Sequence, residues 1–73
     1  MPGEIHTVYR DGTWRNEIGG GGDVGGAHDT KEKAVDAGRD EARERRFEHV
    51  IHNQDGTIGE KNSYGNDPRE IPG

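Results

Sequence analysis

Four histidines, His6, His28, His49 and His52, are the side chains of this sequence best suited to metal or proton chemistry. A zinc site needs three or four N, S or O ligands at about 2.0–2.3 Å in matched geometry, and the chain has no cysteine to contribute. His49 and His52 are three apart in a strand-like run, so they point to opposite faces and do not chelate together. His6 joins His49 only if their strands are neighbours. Histidines packed at the surface or across strands account for the pattern better, and no metal ligand is assigned.

His52, Asp55 and Ser63 assemble a nucleophile, a base and an orienting acid on paper. Such a trio must lie within hydrogen-bond reach, preferably in a pocket that excludes water. A domain of 73 residues has little volume for one, and Asp55 is already explained as a turn residue. The expectation is a protein without catalytic residues or a cofactor. Gly20 to Gly25 formally satisfies G-x-G-x-x-G ahead of a helical segment. The dinucleotide fingerprint also needs a parallel βαβ unit and an acidic ribose ligand, whereas the strand before these glycines belongs to a hairpin. A flexible connector explains the letters.

Arg10, Trp14 and Arg15 gather around the first hairpin, and Arg39, Arg43 and Arg46 stud the helix, a set suited to nucleic-acid contact by a small sheet. Against it, Glu32, Asp36, Asp40, Glu41 and Glu44 interleave with the helix arginines, and the net charge of −5 repels phosphate at long range.

The elements that must position these residues follow from local signals. Residues 5–10 and 14–18 are strand-like runs around Asp11-Gly12, a hairpin signal because both turn positions require positive φ. Trp14, Asn16 and Ile18 should share one face, and Arg15 and Glu17 the wet one. Residues 19–27, rich in glycine, read as a mobile connector. The spacing predicts a helix over 30–46, capped by Asp29 (with Glu32 reciprocating) or equally by Thr30, with Ala34, Val35, Gly38 and Ala42 forming a narrow stripe of small side chains. Residues 47–61 read as a second hairpin turning at 53–57, and 62–73 as an irregular tail interrupted by prolines, with Tyr64 anchoring it and Asn66 or Asp67 in a turn. The order is β-β-α-β-β: an α+β domain spanning 1–73, two antiparallel hairpins flanking one helix that packs on one face of an antiparallel sheet.

These pieces resemble a small bacterial family known as domain of unknown function 2188. The likeness is carried by Ile5-His6-x-Val8, Asp11-Gly12-x-Trp14, His28-Asp29-Thr30-Lys31-x-Lys33-Ala34 and above all Val50-Ile51-His52-x-x-Asp55-Gly56-x-Ile58-x-x-Lys61-x-Ser63-Tyr64-Gly65-Asn66-Asp67-Pro68. It covers nearly the whole chain and departs from the family in the glycine tract. The resemblance implies the fold order and a bacterial origin. It implies no activity, because the family has none established.

Composition limits the core. The 25% of apolar residues includes no leucine; the large ones are four valines, five isoleucines, Phe47, Trp14, Tyr9 and Tyr64. Tyr9, Trp14, Ile18, Phe47, Val50, Ile51, Ile58 and Tyr64 alternate along short strands, which puts apolar side chains on both sheet faces while one helix covers only one. A second copy of the chain covering the other face is therefore expected, giving a small non-catalytic interaction module or homodimer. Nucleic-acid binding is the alternative. The residues expected at an interaction surface are Arg10, Trp14, Arg15, Arg39, Arg43, Arg46, His52 and Tyr64. No run of 18 apolar residues exists and the first residues do not resemble a signal peptide, so a cytoplasmic protein without membrane contact is expected.

Overall fold

The computed structural model describes residues 3–19 and 21–64. Its elements run β1 (Glu4–Arg10), β2 (Thr13–Ile18), β3 (Asp23–His28), α1 (Lys31–Arg45), β4 (Glu48–His52) and β5 (Ile58–Ser63). The β1–β2 turn is the expected Asp11-Gly12 pair, with φ of 51° and 84°, the mirror-image turn that matches strand twist.

The five strands form one sheet in the order β3-β2-β1-β4-β5. β1 and β4 pair in parallel, from Glu4 opposite Glu48 to Thr7 opposite Ile51. The other three pairings are antiparallel. This corrects the expectation of a purely antiparallel sheet from two hairpins. Three strands precede the helix, and the chain crosses from the β3 edge to lay β4 beside β1. Parallel neighbours need a long crossover, and α1 supplies it.

The third strand is the second correction. Residues 19–27 were expected to lack regular structure, yet Asp23–His28 forms the sheet edge against β2. Gly25 and Gly26, at φ of 83° and 78°, form a bulge between the Asn16–Val24 and Arg15–Ala27 pairs. Side chains other than Gly rarely adopt that backbone. The glycines shape an edge strand, and they do not form a phosphate loop before the helix; Gly20 lies outside the described residues.

Helix α1 begins at Thr30, whose side chain accepts from the Lys33 N–H at 3.1 Å, so Thr30 rather than Asp29 is the cap. It ends at Arg46 in the left-handed region, φ 62°. Its buried residues are Ala34, Gly38 and Ala42, the expected stripe, with Val35 half-buried at its margin. These small residues let the helix sit close on the sheet. Ile5, Val24 and Ala42 form the apolar cluster, with Ile18, Phe47 and Tyr64 packed against it. Strand β5 extends to Ser63, which removes two residues from the expected tail. Residues 65–73, including Asn66 and Asp67, lie outside the described residues.

Candidate functional site

Sheet register divides the polar side chains into two sets. On the helix side, Thr7 of β1 stands opposite Asn16 of β2, and Ile5 stands opposite His49 of β4. All three polar residues are buried, at 0%, 1% and 1% exposure. Thr7 Oγ1 donates to Asn16 Oδ1 at 2.6 Å and lies 2.7 Å from His49 Nε2. Because the Thr7 proton is spent on Asn16, His49 must donate from Nε2. Asn16 Nδ2 donates to the carbonyl of Ala34 at 2.9 Å. One hydrogen-bond chain thus ties β4, β1, β2 and α1 together. These bonds join three strands to the helix, which gives the chain of hydrogen bonds a role in fixing the fold.

Burial, helped by the charge of Arg39, lowers the His49 pKa below its ordinary value, with Glu60 acting in the opposite sense. The unfolded chain then takes up a proton that the folded one refuses. The network's contribution is present in full above about pH 6.5 and is lost as pH falls towards the folded-state value. Between about pH 7 and pH 5, urea unfolding should show stability falling with acid by up to about 1.4 kcal/mol per pH unit. In His49→Gln that slope should flatten. Equal slopes in the two proteins would remove His49 as the cause.

The second set lies on the face that no helix covers. Arg10 donates twice to Glu17, at 2.8 and 3.1 Å, which raises its pKa. Arg15 bonds Asp23 at 2.9 Å and Lys61 stands 3.6 Å from Glu48. In the centre, His6 Nδ1 meets His52 Nε2 at 2.9 Å while His6 Nε2 meets Glu4 Oε1 at 2.8 Å. The apolar residues among them are Val8, half-buried, Val50, 3% exposed, and at the rim Ile58, 62% exposed. The expectation of an apolar second face is therefore corrected. Trp14, Ile18, Phe47, Ile51 and Tyr64 have gone to the helix side or the strand ends, and ion pairs share the face with the two valines. Beside His52, Val8, Tyr9, Arg10, Asn53 and Gly56 line a shallow, open hollow of about 260 Å³.

The residues expected at one interaction surface are divided between the two sides. Arg10, Arg15 and His52 lie on the uncovered face. Trp14 is 8% exposed, packed against Tyr9 with Lys31 Nζ 5.5 Å from its ring centroid, so it offers no stacking platform. Arg39 pairs with Asp36 on the helix, and Arg43 and Arg46 are exposed at its carboxyl end. Tyr64 is half-buried against the core cluster. The helix and hairpin arginines therefore do not form one basic surface.

His52, Asp55 and Ser63 are not brought together. The Asp55 carboxylate accepts from the Thr57 hydroxyl at 2.7 Å and its N–H at 3.1 Å, bonds that hold its pKa below the usual range. Ser63 pairs with Glu48 at the far end of the β4–β5 ladder from His52. His49 and His52 face opposite sides, as their spacing requires. His6 meets His52 instead of His49, because parallel pairing sets His6 beside Val50 and gives the two histidines the same face. Nothing in the linear spacing pointed to that partner; only the β1–β4 pairing reveals it.

The family model described as "Uncharacterized protein conserved in bacteria (DUF2188)" matches residues 5–64. No curated protein and no solved structure matches the chain.

Proposed function

Since the chain belongs to the uncharacterised bacterial family DUF2188, whose description assigns no activity, we propose its role from its surface: a small non-catalytic interaction module that self-associates through the uncovered sheet face. The observation that carries this reading is a five-stranded face with no covering element among the described residues, bearing both signs of charge around Val8 and Val50. The row Asp23, Glu17, His6, Val50, Lys61 crosses the face, with Asp23 and Glu17 ion-paired to Arg15 and Arg10 near the β3 edge and Lys61 paired to Glu48 at the β5 edge. A two-fold axis along β1 sets the Lys61–Glu48 pair of one copy over the Arg15–Asp23 pair of the other, where the charges can exchange partners across a self-complementary contact.

The face is modest. Five strands at about 4.8 Å spacing and about 20 Å long present roughly 450 Å² in projection, which suits the small end of specific interfaces. Non-obligate interfaces are no more apolar than ordinary surface. A reversible dimer fits better than an obligate one.

Sedimentation velocity over a concentration series should show reversible association reaching the micromolar range, weakened by salt. Val8→Lys, which places a new charge at the centre of the face, should leave a monomer with unchanged circular dichroism. A monomer at every concentration in the native protein would refute the reading. Nucleic-acid binding has less support, because the arginines are divided between two sides and Arg10 and Arg15 each hold a carboxylate. Salt-sensitive titration of duplex or single-stranded DNA at physiological ionic strength would reverse that order.

A further inference from the structure

The contacts around His6 and His52 leave one proton with two possible places. His6 turns Nε2 to the Glu4 carboxylate at 2.8 Å, and His52 turns Nδ1 to the Gly56 carbonyl, more loosely, at 3.4 Å. The carboxylate accepts, so His6 Nε2 carries that ring's proton and its Nδ1 presents a lone pair. Two neutral imidazoles hold one N–H each. His52 holds its own either on Nε2, donating to His6 Nδ1 at 2.9 Å, or on Nδ1, towards Gly56; in the second case two lone pairs face each other. That second arrangement is repulsive unless a metal ion lies between the inner nitrogens, His6 Nδ1 and His52 Nε2.

We propose that His6 Nδ1 and His52 Nε2 form a two-histidine site for a borderline divalent metal ion such as Zn²⁺ or Cu²⁺ on the uncovered sheet face. Imidazole suits these ions and not Mg²⁺ or Ca²⁺. Metal-bound histidines characteristically give their other N–H to a carboxylate or a backbone carbonyl, and Glu4 and Gly56 occupy those two roles here. Two nitrogens on one zinc ion at a tetrahedral angle stand about 3.3 Å apart. The pair therefore needs to open only slightly and to turn its lone pairs towards a common point. The His6 and Glu4 side chains are 26% and 44% exposed, so an ion reaches them from solvent. Among the described residues no cluster of three or more metal-binding side chains occurs, so water completes the coordination and the affinity is that of an open, exchangeable site. Both ligands come from one chain but lie on the face proposed to self-associate, so binding is measured at concentrations where the chain is monomeric and failure of the site is told apart from failure of the dimer.

The test uses the untagged full chain. With one equivalent of Cu²⁺, the electron paramagnetic resonance spectrum should show hyperfine coupling to two imidazole nitrogens. His6→Gln and His52→Gln should each lose one of them. Calorimetric titration with Zn²⁺ should show one ion per chain, weakened at least about tenfold in either variant, about tenfold in Glu4→Gln, and unchanged in the control His28→Gln. Circular dichroism verifies that each variant is folded, and the native copper spectrum stands without the variants. A native spectrum lacking two imidazole nitrogens, an affinity unchanged in His52→Gln, or equal binding of Mg²⁺ would overturn the proposal.

Discussion

Gly38→Ala is expected to destabilise the protein by about 3 kcal/mol or more, although alanine is the better helix former by about 1 kcal/mol. A methyl group at Gly38 would lie close enough to Asn16 Oδ1 to clash outright, 2.7 Å from His49 Nε2 and 2.9 Å from Thr7 Oγ1. These atoms are the tips of side chains, which elsewhere would swing aside. Here they are hydrogen-bonded to one another and buried, so moving one strands the next. The alternative is to lift the helix off the sheet, which opens space along Ala34 and Ala42 and lengthens the Asn16 bond to the Ala34 carbonyl. A domain of this size is held by roughly 4–11 kcal/mol, so the loss is a large fraction of the total. Urea denaturation should show the midpoint falling sharply in Gly38→Ala and by little in Glu44→Ala on the exposed side of the same helix. Equal midpoints for Gly38→Ala and the native chain would mean that the close approach of helix and sheet is not as described.

The second large effect concerns Thr7. Thr7→Val keeps shape and strand propensity but removes the hydroxyl that both His49 and Asn16 use. Two buried polar atoms are then unsatisfied, each costing about 1–3 kcal/mol. A total loss of about 2–4 kcal/mol is expected, far above the change for Thr13→Val in the neighbouring strand, where the hydroxyl bonds an exposed carbonyl. Thr7→Ser should recover most of the stability by restoring the donor and acceptor. A Thr7→Val protein as stable as Thr7→Ser would show that packing alone holds this layer.

The local elements were readable because their causes are local. Asp11-Gly12 sets the first hairpin, alternation assigns Trp14 and Asn16 to one side and Arg15 and Glu17 to the other, and the stripe Ala34, Gly38, Ala42 marks the helix face that approaches the sheet. Strand β3 escaped because Asp-Val-Gly-Gly-Ala-His has neither alternation nor bulk. Its strand character comes from backbone bonds to β2, which composition does not encode. The apolar second face was misjudged for a related reason. Counting large side chains does not say which face each takes, and the ion pairs Arg10–Glu17, Arg15–Asp23 and Lys61–Glu48 occupy the face alongside the valines.

By itself the sequence determined every element type except that of β3, the turn at Asp11-Gly12, the opposite orientations of His49 and His52, and the family. These depend on neighbours within a few positions along the chain. Only the tertiary structure decided that β4 lies parallel to β1. That pairing brings together residues more than forty positions apart, Thr7 with His49 inside and His6 with His52 outside. The reason is physical: once the crossover helix fixes which strands are neighbours, the two-residue pleat sets which side chains meet, and that choice is made by the whole sheet and by no local run of residues.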